Sequence, residues 1–339
     1  MEKLQEAIKT KDPSLLLWKK YLMYACHCLE KKQSLYILYQ LQLFMKDSIR
    51  ASMTCIRFYT NQATTYGDLC CRSHLLIDAQ KHLESELHIG SFSKKRRKST
   101  SSYYSNHDSL TMEMEPSEID KHINTISRQM EIAKFLGNAE KEGRSPNEFL
   151  SLFPDIECDV ACSSELPTLF GNQQQKTHLA VLAILCGRDI EEGFGIAFRI
   201  MQDYSLPPQK VYSLAGHVLA LKNNVNAVEQ LIKCCRSSGA SNTHVICDHV
   251  LTHCIKLMLQ HSYNHSEQIL KNQLDILIRL ITDIELKISA YIESKQLKAA
   301  YLLAVKYSRA QDIRRILKES DRLGQTAIKA ICTKWLQRL

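Results

Sequence analysis

The stretch from Leu166 to Leu206 constrains the fold of this chain more than any other part of it. Two apolar segments there flank Cys186 and Gly187. In the second segment the apolar side chains recur every three or four positions, which places them on one face of a helix. These side chains are Ile190, Phe194, Ala197, Met201 and Tyr204. The pattern predicts an amphipathic helix that packs against a partner helix.

The residues at the ends of these segments predict short turns. Asp189 is expected to cap the second helix, and Glu192, three positions later, completes a capping box. Gly187 suits the left-handed conformation that ends a helix. Pro207 and Pro208 stop this helix and open the next one. Such short connections join antiparallel helices, so the stretch predicts a helical hairpin in a stacked array.

Small residues recur at helical spacing in two places. Gly193 and Ala197 are four positions apart, and Ala51 and Cys55 repeat that spacing near the start of the chain. Because small side chains on one face let another helix approach, we expect close helix packing at these four residues.

The rest of the chain repeats the same design. Three segments resemble each other, namely RASMTCIRFY, GFGIAFRIMQDY and KAAYLLAVKYS. Each combines small residues with a following turn, at a loose spacing of roughly 35–40 residues that is typical of helical solenoids. With only 11 Gly and 7 Pro in 339 residues, helix is favoured throughout. The predicted fold class is all-α, an α-solenoid of stacked antiparallel helical hairpins similar to tetratricopeptide or clathrin repeats.

Two stretches interrupt the helical pattern. Residues 90–116 are rich in Ser and basic residues without periodicity, which predicts a disordered loop, and the polar residues 140–165 predict a linker with a short helix around Asn147–Phe153. The resulting division is N-terminal hairpins in 1–89, the loop in 90–116, one helix in 117–139, the linker in 140–165 and a helical array in 166–339.

The first helices carry many apolar and aromatic residues. Leu16, Leu17, Tyr21, Tyr24 and Cys28 follow one another at helical steps, with Trp18 beside them. Aromatic residues recur at similar spacing through the first sixty positions, and we expect them to pack in the core rather than stack on nucleic-acid bases. They are Tyr21, Tyr36, Tyr39, Phe44, Phe58 and Tyr59.

Composition limits the cellular setting. No run approaches the roughly twenty apolar residues of a membrane span, and the polar start indicates no secretory signal. The 13 Cys are scattered without regular spacing, which is typical of reduced thiols in the cytoplasm.

The net charge of +8 is concentrated in two places. The first is Lys94, Lys95, Arg96, Arg97 and Lys98, followed by three possible phosphorylation sites at Ser99, Thr100 and Ser101. A nuclear-localisation signal, a membrane contact or a nucleic-acid contact would use such a run. A solvated loop is the favoured interpretation, because short basic runs are common in disordered segments.

The second basic place is the C-terminal part, where eleven Lys or Arg stand against three acids from Lys295 onward. Arg314 and Lys318 share one helix side, and Arg315 and Arg322 share another. These four residues fit contact with an acidic partner or an anionic lipid. An outer face in contact with solvent is the simpler alternative.

Motifs that carry enzyme chemistry are missing from the sequence. The cluster of His244, Cys247, His249, His253 and Cys254 has partial zinc spacing, but Val250 stands where a metalloprotease needs Glu, and the chain has no CxxC. Its glycines form neither a phosphate-binding loop nor a dinucleotide fingerprint. No catalytic residue, metal or cofactor is expected, and the prediction is a binding protein.

Several segments together resemble one family. They are LYQLQLFMKDSIRASMTCIRFYT, LPTLFGN, GFGIAFRIMQDY, SAYIESKQLKAAYLLAVK and AICTKWL. In this order they are similar to the C-terminal region of the spastizin family of zinc finger FYVE-domain proteins. The resemblance implies a scaffold at the late endosome and lysosome surface. There the family associates with spatacsin and the fifth adaptor-protein complex in membrane trafficking, autophagy and lysosome reformation.

The resemblance also implies a role at the centrosome and at the midbody in cytokinetic abscission. It does not extend to the FYVE finger, since the paired CxxC ligands are absent, so phosphatidylinositol 3-phosphate binding is not expected from this chain. The alternative function is that of a nuclear or nucleic-acid-associated factor, for example in DNA repair, using the basic segments. Its binding would weaken steeply with salt.

Overall fold

A computed structural model describes residues 2–96, 112–154, 166–239, 242–261 and 267–337. Within these residues the chain is all-α, with eighteen helices and no strand, and the predicted fold class is confirmed. The helices are α1 (Glu2–Lys11), α2 (Lys19–Lys31), α3 (Leu35–Phe44), α4 (Ser48–Thr60), α5 (Tyr66–Cys71), α6 (Ser73–Arg96), α7 (Pro116–Lys141), α8 (Pro146–Leu150), α9 (Gln173–Cys186), α10 (Ile190–Asp203), α11 (Pro208–Leu221), α12 (Val225–Ser237), α13 (Thr243–Gln260), α14 (Glu267–Leu280), α15 (Ile284–Glu293), α16 (Leu297–Lys306), α17 (Ala310–Arg322) and α18 (Thr326–Leu336).

The described chain forms two compact units. The first contains the residues up to Arg144 together with 166–175, and the second contains 145–154 and the chain from Lys176 onward. In the second unit, from α11 to α18, each helix packs against the next helix in the chain. Most also pack against the next but one, as α11 does with α13 and α15 with α17. This neighbour-only packing is the arrangement of a helical solenoid.

The division differs from the one predicted, because residues 166–175 pack with the first unit. The Tyr66 hydroxyl donates to the Pro167 carbonyl at 2.8 Å. The backbone N–H of Leu169 donates to Oε1 of the buried Gln129, also at 2.8 Å. A buried donor needs a partner, and here α5 and α7 supply the partners for an irregular segment.

Residues 145–154 pack with the second unit. Glu148 forms an ion pair with Lys222 at 2.6 Å, and the Lys222 ammonium lies 4.0 Å from the centre of the Phe149 ring. The rings of Phe153 and His178 are 4.9 Å apart. The start of the predicted linker is therefore anchored, and its short helix is α8. Residues 155–165 lie outside the described chain.

Helical backbone extends into the stretch that was predicted to be a loop. Helix α6 continues to Arg96, so the backbone of residues 90–96 is helical. The reason is that Lys and Arg are good helix formers, which the absence of apolar periodicity does not reveal. At the far side, Met112 donates its N–H to the Asp47 carboxylate at 3.2 Å. Residues 97–111 lie outside the described chain.

A separate short helix, α5, precedes the long α6. Thr65 and Asp68 form a capping box at the start of α5. The Glu140 carboxylate accepts from the backbone N–H groups of Tyr66 at 3.0 Å and Gly67 at 2.8 Å. The first turn of α5 is thus stabilised by a residue from α7, which local sequence does not show.

Most turns between helices use left-handed residues other than glycine. Gln33, Lys46, Asn223, Lys295 and Ser308 have φ between 51° and 59°. In each case the next residue donates its N–H back to a carbonyl five positions earlier, as in Asp47 to Gln42 at 3.0 Å. This is the six-to-one bond of the Schellman motif, which ends a helix tightly.

Gly187 does not adopt the predicted left-handed conformation. In the described chain, the glycines with positive φ are Gly143, Gly239 and Gly324. A Cβ at Gly187 would instead lie 2.9 Å from the backbone nitrogen of Gly193. Gly187 is therefore required by the space available and not by its backbone angles. The predicted cap is present, since the Asp189 side chain accepts from the N–H of Glu192 at 2.7 Å.

Candidate protein-interaction surfaces

The first unit contains a groove with two helical walls. One wall is α2, with Met23, Cys26, His27 and Glu30, and the other is α4, with Arg50, Met53, Thr54 and Arg57. Both sets follow the three- and four-residue spacing of one helix face. Together with Leu38 and Gln42 of α3 and with Met112, they enclose a cavity of about 340 Å³. We call this cavity the α2–α4 groove.

The floor of the α2–α4 groove is well ordered by packing and hydrogen bonds. Leu38 is fully buried, and the Thr54 hydroxyl donates to Oε1 of the buried Gln42 at 2.7 Å. The Cys26 thiol lies 3.8 Å from the Met45 sulfur below the floor. Because these polar atoms are already paired, the floor presents a mainly apolar surface to an incoming group.

Contacts between the walls mark the two ends of the groove. Arg57 forms an ion pair with Glu30 at 2.6 Å, and the Arg50 guanidinium lies 3.3 Å from the Met23 sulfur. Arg50 also pairs with the buried Asp47 at 2.6 Å. Asp47 caps α4 by accepting from the Arg50 N–H at 3.1 Å.

Charge differs between the two ends. At the Asp47 end, burial raises the pKa of Glu86, and the nearby carboxylates of Asp47 and Glu113 raise it further. At the other end, Glu30 is paired with Arg57, and the exposed Lys31 of α2 adds a further positive charge. The Arg57 end therefore carries an excess of positive charge.

The outer face of α2 differs from its prediction. On α2, Tyr21 and Tyr24 are each 70% exposed, while Leu22 and Cys26 form the buried face. Leu16 and Leu17, just before the helix, are exposed as well. Apolar residues occur on both sides of this helix, so periodicity alone selected the wrong face. Tyr36 is also exposed, whereas Phe44 and Tyr59 lie in the core as predicted.

The basic residues predicted near the C-terminus are partly neutralised within the chain. Arg315 pairs with the buried Asp312 at 2.9 Å and donates to the Ser289 hydroxyl at 3.0 Å. Arg322 pairs with Glu319 at 2.5 Å. Arg314 and Lys318 are exposed on α17 and form no ion pair with any residue that the structure describes. Only the latter two present unpaired charge on this helix.

Only part of the basic run near residue 96 lies in the described chain. The backbone of Lys94, Lys95 and Arg96 belongs to the end of α6. Arg97 and Lys98, and the proposed phosphorylation sites Ser99, Thr100 and Ser101, lie outside the described residues.

The four small residues are all buried. A Cβ on Gly193 would overlap the Ala183 carbonyl and lie 2.9 Å from the Ile184 Cα, so α10 touches the backbone of α9 there. Ala197 is fully buried. Ala51 and Cys55 are buried on α4, and burial raises the pKa of the Cys55 thiol to about 11.

The histidine and cysteine cluster on α13 is dispersed by the fold. His253 contacts His217 of α11, with Nε2 and Nδ1 3.1 Å apart, and the Cys254 thiol donates to the Gly216 carbonyl at 3.3 Å. Burial raises the pKa of Cys254 to about 12. His244 and His249 are exposed. Among the described residues, no three His, Cys, Asp or Glu lie close enough together to hold a metal ion.

Sequence reasoning missed the groove residues and three buried carboxylates. The Asp248 carboxylate of α13 accepts from the backbone N–H groups of Thr282 and Asp283, in the turn between α14 and α15. The Asp312 carboxylate binds the side chains of Arg309 and Arg315. The Asp47 carboxylate accepts from Met112 and Arg50. Each carboxylate orders a neighbouring turn. Their partners lie up to 65 positions away, in the case of Asp47 and Met112, so no local motif marks them.

In the described part of the chain, no helix has both the length and the apolar character needed to cross a bilayer.

The fold and surfaces define a helical-repeat scaffold, in which consecutive helices stack and leave long faces open. A family model described as "ZFYVE26-like, TPR repeats" matches residues 207–337. Zinc finger FYVE domain-containing protein 26 of Ailuropoda melanoleuca is 35% identical over 98% of this chain, and the Homo sapiens protein is 34% identical over the same share. A Dictyostelium discoideum protein is 24% identical over the whole chain. No solved structure matches.

These similarities confirm the predicted resemblance to the spastizin family. The chain spans 12% of the length of the first two relatives named and 10% of the Dictyostelium protein.

Proposed function

We propose that this chain is a non-enzymatic scaffold for protein–protein interaction in endosomal and lysosomal membrane trafficking. The observation that carries the proposal is the similarity to zinc finger FYVE domain-containing protein 26 over 98% of the chain. The solenoid packing supports it, because stacked helices offer long faces to a partner. The partners proposed are spatacsin and the fifth adaptor-protein complex, and the processes are lysosome reformation and autophagy.

The same resemblance supports a role at the centrosome and at the midbody during cytokinetic abscission. The chain is proposed to act in the cytoplasm, at the late endosome and lysosome surface. We expect no contribution from this chain to phosphatidylinositol 3-phosphate binding. Flotation with vesicles that contain or lack this lipid should therefore recover equal amounts of the chain.

Binding of purified partners tests the proposal. Tagged chain is mixed with recombinant spatacsin, or with the assembled adaptor complex, at about 0.1 M and about 0.5 M salt. Retention at both concentrations is expected, because burial of apolar helix faces depends weakly on salt, unlike contacts between exposed charges. Failure to retain either partner at both concentrations would contradict the proposed partners.

The alternative, a nucleic-acid-associated factor, has weaker support. Two of the four predicted C-terminal cations, Arg315 and Arg322, are already paired with carboxylates. Binding to DNA or RNA that disappears at about 0.5 M salt, and that is lost when Arg314 and Lys318 are changed to Gln, would favour the alternative.

A further inference from the structure

We propose that the α2–α4 groove docks a partner segment that inserts large apolar side chains into the cavity and pairs its carboxylates with cations at the Arg57 end. This inference rests on the proposed scaffold function and specifies one site and the chemistry of its partner. The site lies outside residues 207–337, which match the family's repeats.

The size of the groove fits side chains rather than a whole folded domain. A cavity of about 150 Å³ can hold a benzene ring, so about 340 Å³ holds roughly two large apolar side chains. The lining residues extend over two helical turns on each wall, from Met23 to Glu30 and from Arg50 to Arg57. A helical segment with apolar residues three or four positions apart matches that length.

The walls suit apolar ligands of varied shape. Met23 and Met53 face the cavity from opposite walls, and Met112 closes one end. Methionine is flexible and polarizable, and therefore adapts to different apolar groups.

Charge selects an acidic partner and sets its direction. Lys31 follows Glu30 at the Arg57 end of α2, is exposed and forms no ion pair with a described residue. Lys20 lies one turn before Met23, toward the Asp47 end. Because Arg57 already pairs with Glu30, Lys31 supplies the unpaired positive charge at the Arg57 end. The Asp47 end carries carboxylates, so acidic residues of the partner are directed to the Arg57 end.

A peptide fits these features better than a bilayer or a nucleic acid. A bilayer is a broad surface and cannot enter a cavity between two helices. Base stacking requires aromatic side chains, and none of the residues that line this groove is aromatic except His27.

Selection from a displayed library of random peptides tests the inference, with the full chain as bait. We expect enriched sequences that combine carboxylates with large apolar residues at helical spacing. Met53→Glu should weaken binding of these peptides at least tenfold, because it places a charge in the cavity. Lys31→Glu, a surface change that leaves the core intact, should weaken it about threefold to tenfold.

Leu302→Glu is the control for a charge added at an apolar position away from the groove, because Leu302 is a 60% exposed residue of the second unit. The Leu302→Glu variant should bind the peptides as the unchanged chain does. All three variants should have the melting temperature of the unchanged chain. The inference is overturned if no peptide is enriched, if enriched peptides are basic, or if Met53→Glu and Lys31→Glu bind as the unchanged chain does. Saturable binding of anionic vesicles or single-stranded nucleic acid that both variants abolish would also overturn it.

The same variants separate this inference from the proposed function. If Met53→Glu still retains spatacsin or the adaptor complex and also binds the selected peptides normally, the groove assignment fails and the scaffold function stands. If the selected peptides require the groove but neither partner is retained, the groove assignment stands and the proposed partners are wrong.

Discussion

Glu30 and Arg57 are 27 positions apart in sequence and 2.6 Å apart across the α2–α4 groove. At the other end of the groove, Met23 and Arg50 are also 27 positions apart in sequence, and the Arg50 guanidinium lies 3.3 Å from the Met23 sulfur. Helices α2 and α4 therefore run parallel and in register, with α3 between them as the floor. Regular register of this kind gives the groove two matched walls.

The Glu30–Arg57 pair is expected to add little stability. Both side chains are about half exposed, and exposed ion pairs contribute roughly 0.2–1 kcal/mol. A double-mutant cycle with Glu30→Gln and Arg57→Gln, followed by urea unfolding, should give a coupling energy in that range. A coupling above about 2 kcal/mol would show that the groove is locked at this end.

Gly193 and Gly195 provide a matched test of close helix packing. Gly193→Ala should lower the free energy of unfolding by about 1–3 kcal/mol, because the new Cβ would overlap the backbone of α9. Gly195→Ala has open space around its Cβ and should raise it by roughly 0.5–1 kcal/mol. Thermal or urea unfolding of both variants measures the effect, and equal effects would contradict the packing.

The left-handed turn residues predict stabilising substitutions. Lys295→Gly and Ser308→Gly should each raise the free energy of unfolding by roughly 0.5–1 kcal/mol, since glycine adopts positive φ without strain. Gly324→Ala, at a turn of the same type with φ of 67°, is the converse control and should be destabilising. Loss of stability in the two glycine variants would show that these side chains contribute more than the backbone strain they cost.

The His217–His253 contact predicts an acid-sensitive second unit. Burial lowers the pKa of both rings; the charges of His253 and His261 lower it further for His217, and those of His249 and Lys256 for His253. Because the folded pKa values lie below the unfolded value of about 6.5, the unfolded chain binds these protons first. The free energy of unfolding should be fully retained above about pH 7 and fall as the pH decreases through 6.5.

Urea unfolding at about pH 7.5 and pH 5.5 measures this dependence. His217→Gln should reduce the difference between the two conditions. His244→Gln, at an exposed position on α13, should leave it unchanged. The same pH dependence in all three proteins would remove the His217–His253 pair as its cause. His82 and His178, whose pKa values burial also lowers, contribute with the same sign.

Gln129 is expected to hold the segment after residue 166 in place. Gln129→Leu would leave the buried N–H of Leu169 without its acceptor and should cost about 1–3 kcal/mol. Asn124→Leu, an exposed position on the same helix α7, should change stability by less than about 0.5 kcal/mol. Faster proteolytic cleavage near residue 170 in the Gln129 variant alone would support the assigned role.

Much of the secondary structure follows from local sequence. Helix α10 begins after the predicted cap Asp189, and α11 begins at Pro208 as predicted, because such signals act within a few residues. The N-terminal helices were harder to predict from the sequence. In α2 apolar residues occupy both faces, and α5 is stabilised by Glu140, which lies about seventy positions away.

The candidate site could not be predicted at all from the sequence. Met23, Met53 and Arg57 belong to no motif, and they form a groove only because α2 and α4 lie parallel with α3 beneath them. The predicted basic site on α17 illustrates the opposite case. The helical spacing of its cations was visible in the sequence. The ion pair between Arg315 and Asp312, which neutralises one of them, was not predicted.

By itself the sequence determined that the chain is all-α, where the helices around Asp189 and Pro208 begin, and which family it resembles. These properties depend on side-chain periodicity, capping and composition, which act over a few residues. The tertiary structure decided which face of α2 is buried, which unit residues 166–175 join, and which cations remain unpaired. Those outcomes depend on contacts between residues far apart in the chain, where the energy of burial and pairing outweighs local preference.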